Sequence, residues 1–583
     1  MKLNIDKTKD NLLPQNAVDI LKDRYLLPTE ETPQEAFARA CMAFADNKAH
    51  AERLYKYVSN LWFMFASPLL SNGGTDRGLP ISCFLNYVPD SRDGLASHYT
   101  ENIWLSSMGG GIGGYWGHIR SQGLSTSKGI KTTGVIPFMH VVDSQMVAFN
   151  QGSTRRGSYA SYMDISHPEI IEFIEMRKPT GGDINRKNLN LHHGINIPDK
   201  FMKAMEDDKE WNLIDPNSKD IVKTVKAREI WIKILEARMT TGEPYLMFID
   251  TVNKGLPKEL KAKGLKVHHS NLCSEITLPT SEDRTAVCCL SSLNLEYFDE
   301  WSKDEMFIED IVRMLDNTLS DFIKKAPDTM WRAVNSAKSE RSIGLGTMGF
   351  HSHLQRNGIA IQSPMSMGPN LKIFKHIKKK CDTANLLLGK ERGEAPDLKG
   401  TGKRFSHMTA IAPNASSSII CGNTSPSIEP LRANAFSQKT LSGSFLIKNK
   451  YLEQLLDKKG KNTKDVWKII IASRGSVESL EFLSATEKNI FRTAIEVDQA
   501  WLVDLAAERQ KYIDQAQSLN LFFPPDVNVR RLNNVHKRAW VKGLKTLYYC
   551  RSEAIKRAEN ISIKVERKVR QDNEEDECVM CQA

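Results

Sequence analysis

Apolar and polar positions along the chain follow two rhythms that change near residue 67. Ahead of it, Ala36, Phe37, Ala40 and Met42 recur at helical spacing behind Thr32-Pro33-Gln34-Glu35, a capping box with proline at the first helical position. The spacing predicts a helical N-terminal region over residues 1–66. From Ser67 the pattern turns to short apolar runs cut by Gly, Pro and Ser: ASPLLSNGGT, ISCFLNYVPD, GIGGYWGHIR, GVIPF, and later IGLGTMGF (343–350) and MTAIAPNASSSII (408–420). With helical stretches between them, these runs predict alternating strands and helices, an α/β core over residues 67–440. Beyond 441 helices dominate; Ile490, Ala494, Val497, Trp501 and Leu505 are spaced for one face of one helix. That region is expected to run to 560, and the charged, core-poor residues 561–583 read as a flexible tail.

Composition acts mainly by exclusion. A chain of 583 residues exceeds the size at which a single core stops growing, so a large domain with appended pieces is expected. Hydrophobic residues make up 40% and charged residues 26%, with no apolar run near the roughly 20 residues needed to span a bilayer. The opening MKLNIDKTKDNLLP has no secretory signal pattern. Ten cysteines without a dense framework fit a reducing compartment, which places the chain in the cytoplasm. The net charge of +10 is spread over solvated stretches such as KHIKKK (375–380) and LDKKGKNTKDVWK (456–468). Without a recognition motif it argues for no direct nucleic-acid contact.

Candidate chemistry gathers around NLCSE. In an extended segment Asn271, Cys273 and Glu275 project from one face, placing a thiol between an amide and a possible base. Alone, the motif reads first as a buried cysteine in a polar loop. Gly109–Gly114 (GGGIGG) permits close backbone approach but lacks the helix start and acidic partner of a dinucleotide site. PNASSS (413–418) is either a phosphate cradle at a helix N-terminus or a serine-rich turn. By position alone, Tyr548 and Tyr549 read as core or strand residues. The tail pair Cys578 and Cys581 lacks a second CxxC or nearby HxxxH to complete a zinc site, which favours a redox dithiol and no metal.

Taken together, ASPLLSNGGT, ISCFL, GGGIGG, NLCSEI, CxLSSLNL (288–295), PNASSS, SIEP, IDQAQSLNLF (513–522), LKTLYYCR and DECVMC resemble the large catalytic α subunit of class I ribonucleotide reductase over nearly the whole chain. The resemblance implies a ten-stranded α/β barrel of two antiparallel half-sheets, each of five parallel strands, with a finger loop carrying Cys273 into its centre. It implies reduction of ribonucleoside diphosphates. Cys273 would be the transient thiyl radical, Glu275 the base on the 3′ hydroxyl and Asn271 the sugar-orienting amide. Cys83 and Cys288 would supply the reducing equivalents, with Cys578 and Cys581 resetting them by exchange and thioredoxin or glutaredoxin resetting the tail. The pattern aligns Cys288 rather than Cys289 with the redox position. Substrate would contact Ser67, Ser82, Gly111, Asn414, Ala415, Ser416 and Ser417.

Tyr549 and then Tyr548 would relay oxidation to Cys273 from a metal-containing small β subunit. The chain itself would bind only nucleotide effectors, ATP or dNTPs, at Asp90 and Arg120. QGSTRRG (151–157) would link effector to substrate through Arg155 or Arg156, across a homodimer. So few residues precede Thr32 that the N-terminal ATP cone is expected to be absent. Two other readings stay open: an adenosylcobalamin-dependent class II reductase, whose NxCxE core is similar, and an inactive nucleotide-binding regulatory paralogue.

Overall fold

The structure is a computed structural model describing residues 3–125, 129–149, 157–440 and 443–552. The N-terminal region is helical: Gln15–Arg24, Pro33–Phe44 and Lys48–Ser59. The start at Pro33 is set by Glu35, whose carboxylate accepts the N–H groups of Glu31 at 2.6 Å and Thr32 at 3.2 Å. Those bonds hold the Glu35 carboxyl below its usual range and satisfy donors that a helix start leaves open. Ala36, Phe37 and Ala40 are fully buried against the main core.

The main sheet has nine strands. In chain order these are β1 Phe63–Phe65, β2 Cys83–Tyr87, β3 Gly111–Tyr115, β4 Ser158–Asp164, β5 His192–Ile197, β6 Tyr245–Phe248, β7 Ala286–Asn294, β8 Ile343–Met348 and β9 Thr546–Leu547. Strands β2 to β6 form one half-sheet of five parallel strands. In the other half β7 and β8 are parallel, and the extended segments 407–412 and 515–519 take the next two positions. Parallel bridges from Leu345 to Thr409 and from Ile411 to Gln517 join them, and Tyr548 N–H donates to Leu519 O at 3.0 Å to bring in β9. The halves meet antiparallel at two seams, β2 on β7 and β6 on β9. The ten-position α/β barrel is therefore present, with β1 added antiparallel along the far half of β7. Helices such as Arg92–Ser107, Val135–Ala148 and Phe307–Lys325 coat its outside. Among the described residues no helix is long and apolar enough to cross a membrane.

Three local expectations fail. The ASPLLSNGGT run is not a strand: Ser67–Asn72 is a short helix with proline in its first turn, and Pro68 to Asn72 are buried by packing from every side. Residues 490–505 are not one helix. Asp498 caps a new helix, Gln499–Gln510, by accepting the Ala500 N–H at 3.1 Å, while Ala485–Ile490 ends at Phe491. Their apolar positions face the interior in both pieces, so periodicity carried across the break. The barrel also draws its last two positions from beyond residue 440, and the strand Ala435–Thr440 pairs antiparallel with Gly443–Lys448.

Candidate active site

The finger loop, residues 266–280, leaves helix Lys258–Ala262 and crosses the barrel before β7. Its passage depends on β3: a Cβ on Gly113 would stand 2.0 Å from Ser270 O and 2.8 Å from Asn271 Cα. The glycine run thus makes room for the protein's own loop. Tyr162 on β4 donates to Asn271 O at 2.7 Å, and His269 contacts Gly113 O at 3.1 Å. From the other half-sheet, Ala516 N–H donates to Glu275 O at 2.9 Å. Gln515 Oε1 accepts the Thr277 N–H at 3.1 Å.

NLCSE is a tight turn, not the extended segment expected. Ser274 sits at φ 67° and its N–H reaches Asn271 O at 3.4 Å. A non-glycine residue in that region carries strain of about 1–3 kcal/mol, held here by the loop's contacts to both half-sheets. The turn folds Asn271 back: its Oδ1 accepts the N–H groups of Glu275 at 3.1 Å and Ile276 at 3.2 Å, while its Nδ2 donates to Cys83 Sγ at 3.2 Å. Glu275 Oε1 lies 3.9 Å from Cys83 Sγ, and its Oε2 lies 3.1 Å from Ser518 Oγ. Amide, carboxylate and Cys83 thiol therefore form one buried cluster beside Cys273, whose carbonyl is 2.5 Å from Ser518 Oγ.

At the β2/β7 seam, Cys83 and Cys288 are direct cross-strand partners. Opposed antiparallel residues have Cα atoms about 4.5–5.5 Å apart, within the range a disulfide spans. Gln515 Nε2 approaches Cys288 Sγ at 3.7 Å. Burial, then the neighbouring Cys83, pushes the Cys288 thiol well up, so it is held protonated. Cys289 faces the other side of the sheet, where Thr318 and Asp316 of the coating helix are its neighbours.

At the β6/β9 seam, Tyr548 and Tyr549 share a buried cluster with Tyr162, Tyr245, Leu272 and Cys273. Ring centroids are 4.4 Å apart between Tyr548 and Tyr549 and 4.7 Å between Tyr245 and Tyr548. The Arg551 guanidinium lies 3.9 Å over the Tyr549 ring.

Asn414 begins helix Ala415–Ile420 at φ 57° and donates to Ser292 Oγ of β7 at 2.8 Å. That helix packs on β1, which leads into Ser67, itself 2.9 Å from Tyr25 OH. Ser82 passes its carbonyl to Gly111 N–H at 2.7 Å. The buried hydroxyls of Ser82 and Ser417 have no hydrogen-bond partner among the described residues. Ala415 and Ser416 lie in the same short helix. Away from this site, Arg120 and Asp90 pair with each other at 2.8 Å, and Asn217 joins at 3.1 Å. Arg155, Arg156, Cys578 and Cys581 lie outside the described residues.

Sequence reasoning missed Gln515, Ser518, Tyr162 and Tyr245. The first two sit in the IDQAQSLNLF run, whose polar residues gave a signal only through resemblance; the tyrosines looked like ordinary strand aromatics. Buried Glu429 was also missed: burial raises it to about 7, and it accepts the Asn520 N–H at 3.0 Å.

Fold and site together define a ten-position α/β barrel with the buried thiols of Cys83, Cys273 and Cys288 gathered inside it. Residues 81–401 and 395–550 match the ribonucleotide reductase barrel domain, and residues 12–78 match the ribonucleotide reductase all-alpha domain. The chain is 46% identical to the ribonucleoside-diphosphate reductase large subunit of Invertebrate iridescent virus 3, over 95% of this chain and 96% of that one. It is 32% identical to the ribonucleoside-diphosphate reductase subunit alpha of Chlamydia trachomatis, over 94% of this chain and 60% of that one. Among solved structures, the Actinobacillus ureae class Id ribonucleotide reductase alpha subunit superposes with a TM-score of 0.83 at 36% identity, covering 94% of this chain and 98% of that one. The chain belongs to the ribonucleotide reductase large-subunit family.

Proposed function

We propose that this chain is the catalytic large subunit of a class I ribonucleotide reductase, converting ribonucleoside diphosphates to 2′-deoxyribonucleoside diphosphates for DNA synthesis. The observation carrying this reading is the convergence of Asn271 and Glu275 on Cys83, with Cys288 directly opposite across the seam. Cys273, as a thiyl radical, takes the 3′ hydrogen of the ribose. Glu275 takes the 3′ hydroxyl proton while Cys83 protonates the departing 2′ hydroxyl, which leaves as water. Cys83 and Cys288 give up two electrons and close a disulfide, and Cys273 returns the hydrogen to C3′, regenerating its radical. Asn271 orients the sugar, and the barrel keeps water from the radical.

The unpartnered Ser82 and Ser417 hydroxyls and the helix start at Asn414 support substrate contacts there, together with Ser67, Gly111, Ala415 and Ser416. Cys578 and Cys581 reduce the disulfide by exchange and are reset by thioredoxin or glutaredoxin. The radical arrives from a metal-bearing small subunit through Tyr549 and Tyr548. Asp90 and Arg120, now paired to each other, would open to a nucleotide effector in a homodimer, with Arg155 or Arg156 linking to substrate. The ten cysteines of the chain, set without a dense framework, support a reducing, cytoplasmic setting.

The test is conversion of CDP to dCDP with dithiothreitol and ATP under three additions: none, adenosylcobalamin, or a metal-loaded small subunit. Product only with the small subunit is expected. Product with adenosylcobalamin alone would move the chain to class II, and wild-type turnover by Cys273→Ser would overturn the mechanism.

A further inference from the structure

Every hydrogen-bonding group of the fully buried Gln515 is committed, and one of them points at a thiol. Its backbone N–H donates to Thr409 O at 3.1 Å, and its carbonyl accepts from Gln510 Nε2 at 2.9 Å. In the side chain, Oε1 accepts the Thr277 N–H at 3.1 Å, and Nε2 donates to Ile343 O at 3.1 Å and to Cys288 Sγ at 3.7 Å. The Thr277 N–H can meet only the amide oxygen and the Ile343 carbonyl only the amide nitrogen, so the amide has one orientation. With one N–H spent on Ile343, the second is the one that faces Cys288. The sulfur is also seated against Gly344 of β8, where a Cβ would stand 2.9 Å from it. Across the seam Cys83 Sγ takes a buried amide as well, Asn271 Nδ2 at 3.2 Å, but it has Glu275 Oε1 at 3.9 Å besides. Cys83 is 3% exposed and Cys288 not at all. Burial and then the Cys83 thiol push the Cys288 thiol up, and the Gln515 amide works against them.

We propose that Gln515 is a positioning residue of the dithiol: its Nε2–H holds Cys288 Sγ and stabilises the negative charge that this sulfur bears when the Cys83–Cys288 disulfide opens and closes. The proposal rests on the dithiol reading above. A thiolate of the reducing dithiol attacks Cys83 Sγ, the less buried sulfur. The S–S bond breaks, its electron pair stays on Cys288 Sγ as a thiolate, and a mixed disulfide forms on Cys83. Charge left on Cys83 instead would face the Glu275 carboxylate, whereas on Cys288 it meets an N–H. The second thiol of the reductant then attacks the first, closing the oxidised reductant and releasing Cys83. The two protons of the reductant end on the two cysteines, and the reverse sequence closes the disulfide.

The test opens and closes this disulfide in the full chain, with Cys578 and Cys581 changed to serine, using reduced and then oxidised dithiothreitol and no small subunit. Alkylation and peptide mass spectrometry follow each cysteine in time. Gln515→Met, which keeps the bulk, is expected to slow reduction and oxidation alike by about tenfold, the lower end of what a hydrogen bond to a charged group contributes. The ratio of the two rates should change by less than about threefold, because the neutral dithiol and the disulfide carry no charge to stabilise. Gln515→Glu keeps the oxygen that meets Thr277 but turns a second oxygen toward Cys288, so it should be slower still. Rates of Gln515→Met within about threefold of the parent would overturn the proposal. So would a slow Gln515→Met beside a Gln515→Glu at parental rates, the pattern of a loop support acting through Thr277. Cys288→Ser separates the two layers. If it sustains turnover with dithiothreitol, the dithiol reading itself fails; if it does not, while Gln515→Met exchanges at the parental rate, only the Gln515 assignment fails.

Discussion

Replacing Gly113 by alanine perturbs the site without touching any reacting group. The added Cβ would meet Ser270 O at 2.0 Å, where C···O contacts normally begin at about 3.3 Å, so the finger loop must retreat by more than about 1 Å. Strand β3 is fixed between β2 and β4 and has no slack, whereas the loop is held by individual hydrogen bonds from Tyr162, Gln515 and Ala516. The loop is what moves. A displacement of that size at a reacting centre costs about 100-fold in rate, and overpacking costs about 1–3 kcal/mol of stability. Gly114→Ala is the control. Its Cβ would strike the Tyr159 hydroxyl at 1.5 Å on the outer face, so stability falls but the loop stays. Steady-state dCDP formation and urea unfolding of both variants measure the two effects separately. The expectation is a kcat loss near 100-fold for Gly113→Ala, and less than about fivefold for Gly114→Ala at similar destabilisation. Near-normal kcat in Gly113→Ala, or equal kcat losses in the pair, would refute the argument that β3 sets the position of Cys273.

Three further outcomes are expected. Cys288→Ser should abolish multiple turnover even with dithiothreitol, whereas Cys289→Ser, on the outer face near Thr318, should retain kcat and lose at most about 1–2 kcal/mol in urea melts. Changing both Cys578 and Cys581 to serine should spare turnover driven by dithiothreitol but not by thioredoxin; equal loss with both reductants would contradict the shuttle. Burial lifts the Glu340 carboxyl to about 7, with Ser336 Oγ donating to it at 2.8 Å, so the folded state keeps a proton that the unfolded chain releases near 4.5. Its contribution is full below pH 4.5 and lost as pH rises through 7. The stability difference between wild type and Glu340→Gln, from urea melts at pH 5 and 8, should therefore fall by about 3 kcal/mol at most, and a flat difference would show that Glu340 is ionised in the fold.

What the sequence disclosed follows the range of the forces involved. The helix at Pro33 was legible because its start is set by Glu35 and by neighbours within four residues. The α/β alternation was legible because runs such as ISCFL and IGLGTMGF are buried on both faces. NLCSE was read as extended because nothing local forces Ser274 to φ 67°; that conformation is imposed by Tyr162 and Ala516, each more than a hundred residues away. Ser67–Asn72 was missed for the same reason, its glycine and proline neighbours looking like strand punctuation. The choice between Cys288 and Cys289 is invisible to composition, since adjacent strand residues differ only in which face they take. The register that sets Cys288, and not Cys289, opposite Cys83 is a property of the fold.

The two antiparallel seams explain why the barrel suits this chemistry. Within a parallel half-sheet every neighbour is reached through a crossover, and residues of like sequence depth line up along one direction. At a seam the directions oppose, so residues from the two half-sheets face each other across sequence separations of 200 residues or more. One seam sets Cys83 against Cys288; the other sets Leu246 and Met247 against the strand that delivers Tyr548 and Tyr549. The finger loop lies between them, bonded to β4 through Tyr162 and to residues 515–518 through Gln515, Ala516 and Ser518. On the proposed mechanism, oxidising equivalents would reach Cys273 from one seam while reducing equivalents would stand at the other, and the substrate would be the only group that needs to meet both. Direct contact between such a relay and such a dithiol would quench the radical, so on that mechanism their separation on opposite closures of one barrel is what would allow a single chain to hold both.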